Sequence, residues 1–145
     1  MKRRLMQTLA LVLCVSSLLT CQVFAANADD GVMPLWDVVG GAYCEITFKG
    51  ENGVNSTAVG SVSSRGSGAE LYVTLTLYRT HWLFGDTLVT YWSAADYDVV
   101  NLGGVFPADF GKEYKLVMEV TAIYNGYEEN LTFTDNETYN EDWLE

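Results

Sequence analysis

The ten residues 70–79 alternate between apolar and polar side chains without a break. One set is leucine and valine and the other is tyrosine and threonine: Leu71, Val73, Leu75 and Leu77 against Tyr72, Thr74, Thr76 and Tyr78. A period of two over this length excludes an amphipathic helix, and the β-branched and aromatic content favours a strand. The segment therefore predicts a strand with one face in a core.

The same period recurs through most of the chain and predicts seven strands, at 43–49, 55–63, 70–79, 87–92, 99–106, 114–124 and 127–134. Asn125-Gly126, between the last two, is typical of a two-residue hairpin turn, because both residues tolerate a positive φ. Seven short strands at regular spacing predict an all-β, two-sheet antiparallel sandwich of the immunoglobulin-like type. A closed barrel is the alternative. The predicted core is Leu71, Val73, Leu75, Leu77, Leu116, Met118 and Val120.

Gly111 and Tyr114 stand where the penultimate strand begins, which is typical of the tyrosine corner of immunoglobulin-like folds. The segments VMPLW (32–36), LTLYR (75–79), YWSA (91–94) and YKLVMEVTAIYNG (114–126) resemble a family of small secreted β-sandwich proteins of unknown function from Gram-positive bacteria. That resemblance implies an immunoglobulin-like fold and an extracellular location, and it carries no active site.

The N-terminus has the organisation of a signal peptide. Lys2, Arg3 and Arg4 precede an apolar run over 5–19, and small-residue cleavage sites end at Ala25 and Ala28. The predicted organisation is a signal peptide at 1–25, with cleavage as late as 28, a flexible lead-in at 26–41, a sandwich at 42–134 and an acidic tail at 135–145 that frays. Leu35 and Trp36 are expected to dock on the domain. The alternative at the leader is a lipoprotein box that ends at Cys21.

Charge excludes some partners of the exported domain. The leader holds three of the eight basic residues and none of the nineteen acidic ones, so about 120 residues with a net charge of −14 remain. Such a balance argues against binding nucleic acid or anionic lipid. It is compatible with cationic partners, metal ions or simple solubility.

Few residues after the leader could support catalysis. His81 and Cys44 are the single histidine and cysteine there, and they fall on a predicted loop and on an inward strand face. The chain lacks the G-x-S-x-G, H-E-x-x-H and phosphate-loop motifs. We therefore predict no catalytic residue and no cofactor. Acids and amides at 135–141 are oxygen ligands of the kind calcium takes, but a solvated tail is favoured, and no metal is predicted.

Cys44 has no partner in the mature chain. Because it alternates with Ile46 and Phe48, a buried thiol is predicted. An intermolecular disulfide is the alternative.

Aromatic residues outside the predicted core define the candidate site. Trp82 and Phe84 fall in the loop after the best strand, and Tyr72 and Tyr78 lie on its polar face. Exposed aromatics on a rigid sheet suit the binding of a glycan or a protein, although tyrosine is also common in ordinary cross-strand pairs. The sequence thus predicts a secreted binding module. The alternative is an assembly protein that forms homo-oligomers through edge strands or Cys44.

Overall fold

Seven β-strands form the regular structure of residues 36–49 and 53–144, the part of the chain that the computed structural model describes. They are β1 (Val39–Thr47), β2 (Ser56–Ser64), β3 (Glu70–Thr80), β4 (Thr87–Tyr97), β5 (Val99–Phe106), β6 (Glu113–Tyr124) and β7 (Tyr127–Thr138), followed by one turn of 3₁₀ helix at Glu141–Trp143. Each predicted strand overlaps one of these. The predicted signal peptide, Cys21 and the lead-in up to residue 35 lie outside the described residues.

The strands form two antiparallel sheets, one of order β1-β2-β5 and one of order β4-β3-β6-β7. The chain changes sheet after β2, after β4 and after β5. This is the strand order of a constant-type immunoglobulin sandwich, except that the fourth strand pairs with the third and not with the fifth. The predicted all-β two-sheet sandwich is therefore confirmed, and the barrel alternative is wrong.

The core lies between the two sheets and consists of the inward faces of their strands. All seven predicted core residues are at most 2 % exposed. From the three-stranded sheet, Ile46, Ala58, Val62, Val100 and Phe106 meet them. The alternation in β3 therefore assigns its faces correctly, because the tyrosine and threonine set is the one that remains accessible.

Glycines of β2 and β5 make room for large side chains of the opposite sheet. A Cβ at Gly60 would lie 2.8 Å from Met118 Sδ and 3.3 Å from Leu75 Cδ1. A Cβ at Gly104 would lie 2.7 Å from Nε1 of Trp92 on β4. These glycines, which look like interruptions in the sequence, are places where packing between the sheets leaves no space for a side chain.

The tyrosine corner is present where β6 begins. Tyr114 is buried, and its hydroxyl accepts a hydrogen bond from the Asp109 N–H at 2.8 Å. The Asn125-Gly126 turn also has the expected form, with φ of 51° and 80° at its two residues.

Side chains close the gap between β1 and β7, which are neighbouring edge strands of different sheets. The Glu129 carboxylate accepts from the N–H groups of Asp37, Val38 and Val39 at 3.0, 3.2 and 3.0 Å. Farther along, Asp135 Oδ2 accepts from the Ile46 N–H at 2.8 Å. Two carboxylates of β7 therefore occupy backbone donors of Val39 and Ile46 on β1 and of the two residues that precede this strand.

The ends of the domain differ from the predicted boundaries. β1 begins at Val39, within the predicted lead-in, and Trp36 packs edge-on against Phe133 with ring centroids 5.1 Å apart, as expected of a docking residue. The prediction of a fraying tail from 135 is wrong, because β7 continues to Thr138 and Tyr139 is fully buried. Phe48 stacks on Tyr139 at 5.0 Å and meets Trp143 edge-on at 5.3 Å.

Candidate functional site

The turn between β3 and β4 presents three consecutive large apolar side chains to solvent. Trp82 is 94 % exposed, Leu83 60 % and Phe84 84 %. His81 and Gly85 close the turn with reciprocal backbone hydrogen bonds of 3.2 and 3.0 Å, and Gly85 has the positive φ of 77° that the closure requires. We call Trp82, Leu83 and Phe84 the apolar tip.

Polar contacts join the base of this hairpin to β6 and to the loop that precedes β6. Arg79 pairs with Asp109 at 2.9 Å, and Lys115 of β6 pairs with Asp86 at 3.1 Å. Arg79 Nε also donates to Nε2 of His81 at 3.2 Å. Exposed ion pairs contribute little stability, but here they lie on both sides of the turn. The base is held mainly by the pairing of β3 with β4 up to Arg79 and Thr87 and by the closure of the turn at His81 and Gly85, so the tip is an apolar projection on a paired hairpin.

Only part of the predicted site comes together. Tyr78 is half-buried on the outer face of the sheet, where it faces Leu88 of β4 and Lys115 of β6. Tyr72 lies six residues farther back along β3, about 20 Å away at the usual rise per residue. Trp82 and Phe84 thus lie in the turn that follows the Tyr78 end of β3, whereas Tyr72 lies towards the opposite end of the strand.

Leu83 and Leu88 are also exposed at this end of the β3–β4 hairpin and were not among the predicted residues. The sequence did contain a signal for Leu83, because it stands between the two predicted aromatic residues in a loop. The exposure of Leu88 could not be predicted from the sequence, because a β-bulge between Leu77 and Tyr78 in the pairing with β4 shifts the register and brings Leu88 opposite Tyr78.

Tyr72 takes part in a second group of aromatic side chains. Its hydroxyl donates to Glu70 Oε2 at 3.0 Å, and the Tyr97 hydroxyl of β4 donates to Glu70 Oε1 at 3.2 Å. The hydrogen bond to the Glu70 carboxylate and the charge of that carboxylate raise the pKa of Tyr72. The charge of Glu70, together with the hydrogen bond to it, also raises the pKa of Tyr97. Both hydroxyls therefore stay protonated donors at physiological pH.

Two of the polar residues at 135–141, Asp135 and Asn140, make hydrogen bonds within the fold. Asp135 accepts from β1, and the Asn140 side chain accepts from the Asp142 N–H at the start of the 3₁₀ turn. Burial, with the charges of Asp135 and Glu45, raises the pKa of Glu137. Within residues 36–49 and 53–144, no three His, Cys, Asp or Glu side chains are grouped to hold a metal ion.

Cys44 lies on β1 of the three-stranded sheet, whereas His81 lies in the turn after β3 of the other sheet. No contact between them is found in the described part of the chain. Cys44 is half-buried on β1, and burial, with the nearby charge of Asp135, raises its thiol pKa to about 11. A thiol of this kind is a poor nucleophile at neutral pH, because only the thiolate attacks. His81 is engaged with Arg79 at the base of the tip.

Comparison with profiles of protein families, with curated proteins and with solved structures finds no match to this chain. Within the described part of the chain, no helix has the length and apolar character needed to cross a membrane.

Proposed function

We propose that this protein is an exported, non-catalytic binding module that holds its partner through the apolar tip. The observation that carries the proposal is the exposure of Trp82 and Phe84, at 94 % and 84 %, on a turn that is closed by its own hydrogen bonds. Large apolar side chains in water are a cost to the free protein that a partner can remove by covering them. An anchored turn also loses little conformational entropy on binding.

The shape of the tip favours a protein partner over a glycan. Trp82, Leu83 and Phe84 follow one another around a closed turn, so the two rings are separated by an aliphatic side chain and do not form a row along a strand. Such a projection suits an apolar cleft that surrounds it, as the central anchors of protein interfaces do. We therefore assign to the tip a protein partner with an apolar cleft.

The proposed location is extracellular or at the cell surface. The leader-like N-terminus and the resemblance to small secreted sandwich proteins of Gram-positive bacteria support export, and the partner would then belong to the cell envelope or the environment. Anchoring through a lipidated Cys21 is the less favoured route, because Thr20 departs from the small residue that such boxes usually carry before the cysteine.

Self-assembly receives less support. Carboxylates of Glu129 and Asp135 occupy backbone donors along the free side of β1, which weakens β1 as a template for strand addition. A thiol with a pKa near 11 forms intermolecular disulfides slowly. Size-exclusion chromatography with and without reductant separates the two functions, because an assembly protein would form a concentration-dependent or reductant-sensitive oligomer.

The proposal is tested by comparing the protein with Trp82→Ser/Phe84→Ser in capture from an envelope extract of the producing cells. A specific partner should be retained by the wild type and by the control Val105→Ser, which removes an exposed apolar residue of the other sheet. The tip variant should lose that partner, while its unfolding temperature stays within about 2 °C of the wild type. Equal retention by the tip variant would overturn the proposal.

Vesicles of phosphatidylcholine provide the second arm of the experiment, because Trp, Leu and Phe also enter lipid interfaces. We expect no co-sedimentation with them. Co-sedimentation that is lost in the tip variant would replace the protein partner with a lipid surface and would refute the proposed one.

A further inference from the structure

A second surface lies on the outer face of β3 and β4, away from the apolar tip. The alternation of the two strands places Tyr91, Ser93, Ala95 and Tyr97 of β4 on the same side as Tyr72, Thr74 and Thr76 of β3. Tyr91 is 64 % exposed and Tyr97 61 %, and Tyr72 is about half exposed. We call these seven residues the tyrosine platform.

The pairing of the strands fixes how the platform is laid out. Tyr97 stands opposite Glu70, Ala95 opposite Tyr72, Ser93 opposite Thr74 and Tyr91 opposite Thr76. Tyr97 and Tyr72 are therefore diagonal neighbours, about 7–8 Å apart at their backbones. Tyr91 lies six residues from Tyr97 on the same strand, which is about 20 Å.

The result is an elongated surface with tyrosine rings at both ends and a floor of small side chains between them. The floor is formed by Thr74, Thr76, Ser93 and Ala95, none of which projects far enough to block a ligand that lies along the strands. At one end, Glu70 holds the hydroxyls of Tyr72 and Tyr97 at 3.0 and 3.2 Å, which restricts both rings before any ligand arrives.

We propose that the tyrosine platform binds an extended neutral glycan along the direction of β3 and β4. Tyrosine rings offer an apolar face to the C–H side of a sugar and a hydroxyl at the rim, and Thr and Ser hydroxyls both donate and accept hydrogen bonds. A row of such groups matches the alternation of C–H faces and hydroxyls along a sugar chain. This surface goes beyond the function assigned to the tip and does not depend on it.

Charge and side-chain size select a neutral glycan over other ligands. Glu70, and Glu119 opposite Thr74 on β6, accept hydrogen bonds from hydroxyls but repel carboxylates, sulfates and phosphates. A protein partner would be expected to find large apolar anchors at the centre of its interface, where the platform instead carries Thr and Ser.

The test is a glycan array that carries neutral and anionic oligosaccharides and polysaccharides, probed with the wild type and with Tyr91→Ala/Tyr97→Ala. We expect binding to an extended neutral glycan, and a loss of at least about tenfold in affinity for it in the variant. Tyr43→Ala, which removes an exposed tyrosine of the other sheet, is the matched control and should bind as the wild type does.

A variant on the floor protects the test against a folding defect. Ser93 is exposed, so Ser93→Lys should leave the unfolding temperature unchanged while its long side chain obstructs the floor, and it should also lose binding by at least about tenfold. Binding to no neutral glycan, binding to anionic glycans alone, or unchanged binding by Ser93→Lys would overturn the proposal.

The tip variant separates the two proposals. Trp82→Ser/Phe84→Ser should keep glycan binding within about twofold of the wild type, since the tip is not part of the platform. Loss of glycan binding in that variant would place the glycan on the tip and would refute the platform.

Discussion

Truncation of Leu75 to alanine tests the packing between the two sheets. Leu75 is 0 % exposed in the middle of β3, where it stands opposite Trp92 and Met118. Across the core it faces Gly60, which has no side chain that could move into the vacated space. The Met118 side chain already occupies the rest of the space next to Gly60. The site therefore collapses poorly, and we expect a loss of about 3.5–5 kcal/mol in the free energy of unfolding, in the upper half of the usual range of about 2–5 kcal/mol.

Urea denaturation followed by far-UV circular dichroism measures this loss. The slope of the unfolding free energy against urea concentration should be unchanged, which would show that the surface exposed on unfolding is the same in the variant and the wild type. Thr76→Ala, the next residue on the same strand, is the control and should cost less than about 1 kcal/mol because its side chain faces outward. A cost below about 1 kcal/mol for Leu75→Ala, together with a larger one for Thr76→Ala, would mean that the faces of β3 are reversed.

Tyr114→Phe removes the acceptor of the Asp109 N–H and should cost about 1–2 kcal/mol by the same denaturation assay; a neutral effect would contradict a structural tyrosine corner. Gly104→Ala places a Cβ where it would lie 2.7 Å from Trp92 Nε1, and should cost about 1–3 kcal/mol with a change in tryptophan fluorescence, whereas an unchanged spectrum would mean that the indole lies elsewhere. With a pKa of about 11 against an ordinary 9.0, Cys44 should react with a thiol reagent at pH 8 about tenfold more slowly than an exposed thiol, since its lower thiolate fraction is partly offset by a more nucleophilic thiolate; equal rates would refute its partial burial. Because the folded thiol has the higher pKa, ionisation favours the unfolded chain, so the contribution of Cys44 to stability should be intact below about pH 9 and should decline between about pH 9 and 11.

The sheets were predictable because their signals are local. The alternation in β3 and β6 identifies the core faces, and Asn125-Gly126 fixes the hairpin between β6 and β7. The pairing of β4 with β3 could not be predicted in the same way, since either sheet can accept a fourth strand and the choice depends on long-range packing, such as that of Trp92 over Gly104.

The ordered structure after residue 134 could not be predicted from the sequence, because the residues that attach this end of the domain to the fold are mostly polar. Glu129 and Asp135 lie on the face of β7 that carries Leu131 and Phe133, although their charge favours solvent, and there they accept hydrogen bonds from amides of β1 and the residues before it. Tyr139 follows an acidic stretch and gives no periodic signal, yet it is fully buried against Phe48.

The candidate site was predictable in part for a comparable reason. An aromatic side chain in a short loop can rarely reach the core, so the exposure of Trp82 and Phe84 follows from their position directly after the clearly predicted strand β3. Tyr97 was overlooked because β4 was expected to end at residue 92, where small residues weaken the alternation. The length of β4 comes from its pairing with β3 as far as Glu70, which the local sequence does not encode.

Photo-crosslinking from the tip tests the proposed function most directly. Benzoylphenylalanine is introduced in place of Leu83, and in a second variant in place of the exposed Tyr43 of the other sheet, and both proteins are irradiated in the culture of the producing cells. A protein adduct of discrete size should form from position 83 and not from position 43. Absence of an adduct at 83, or the same adducts from both positions, would contradict the assignment of the apolar tip as the binding site.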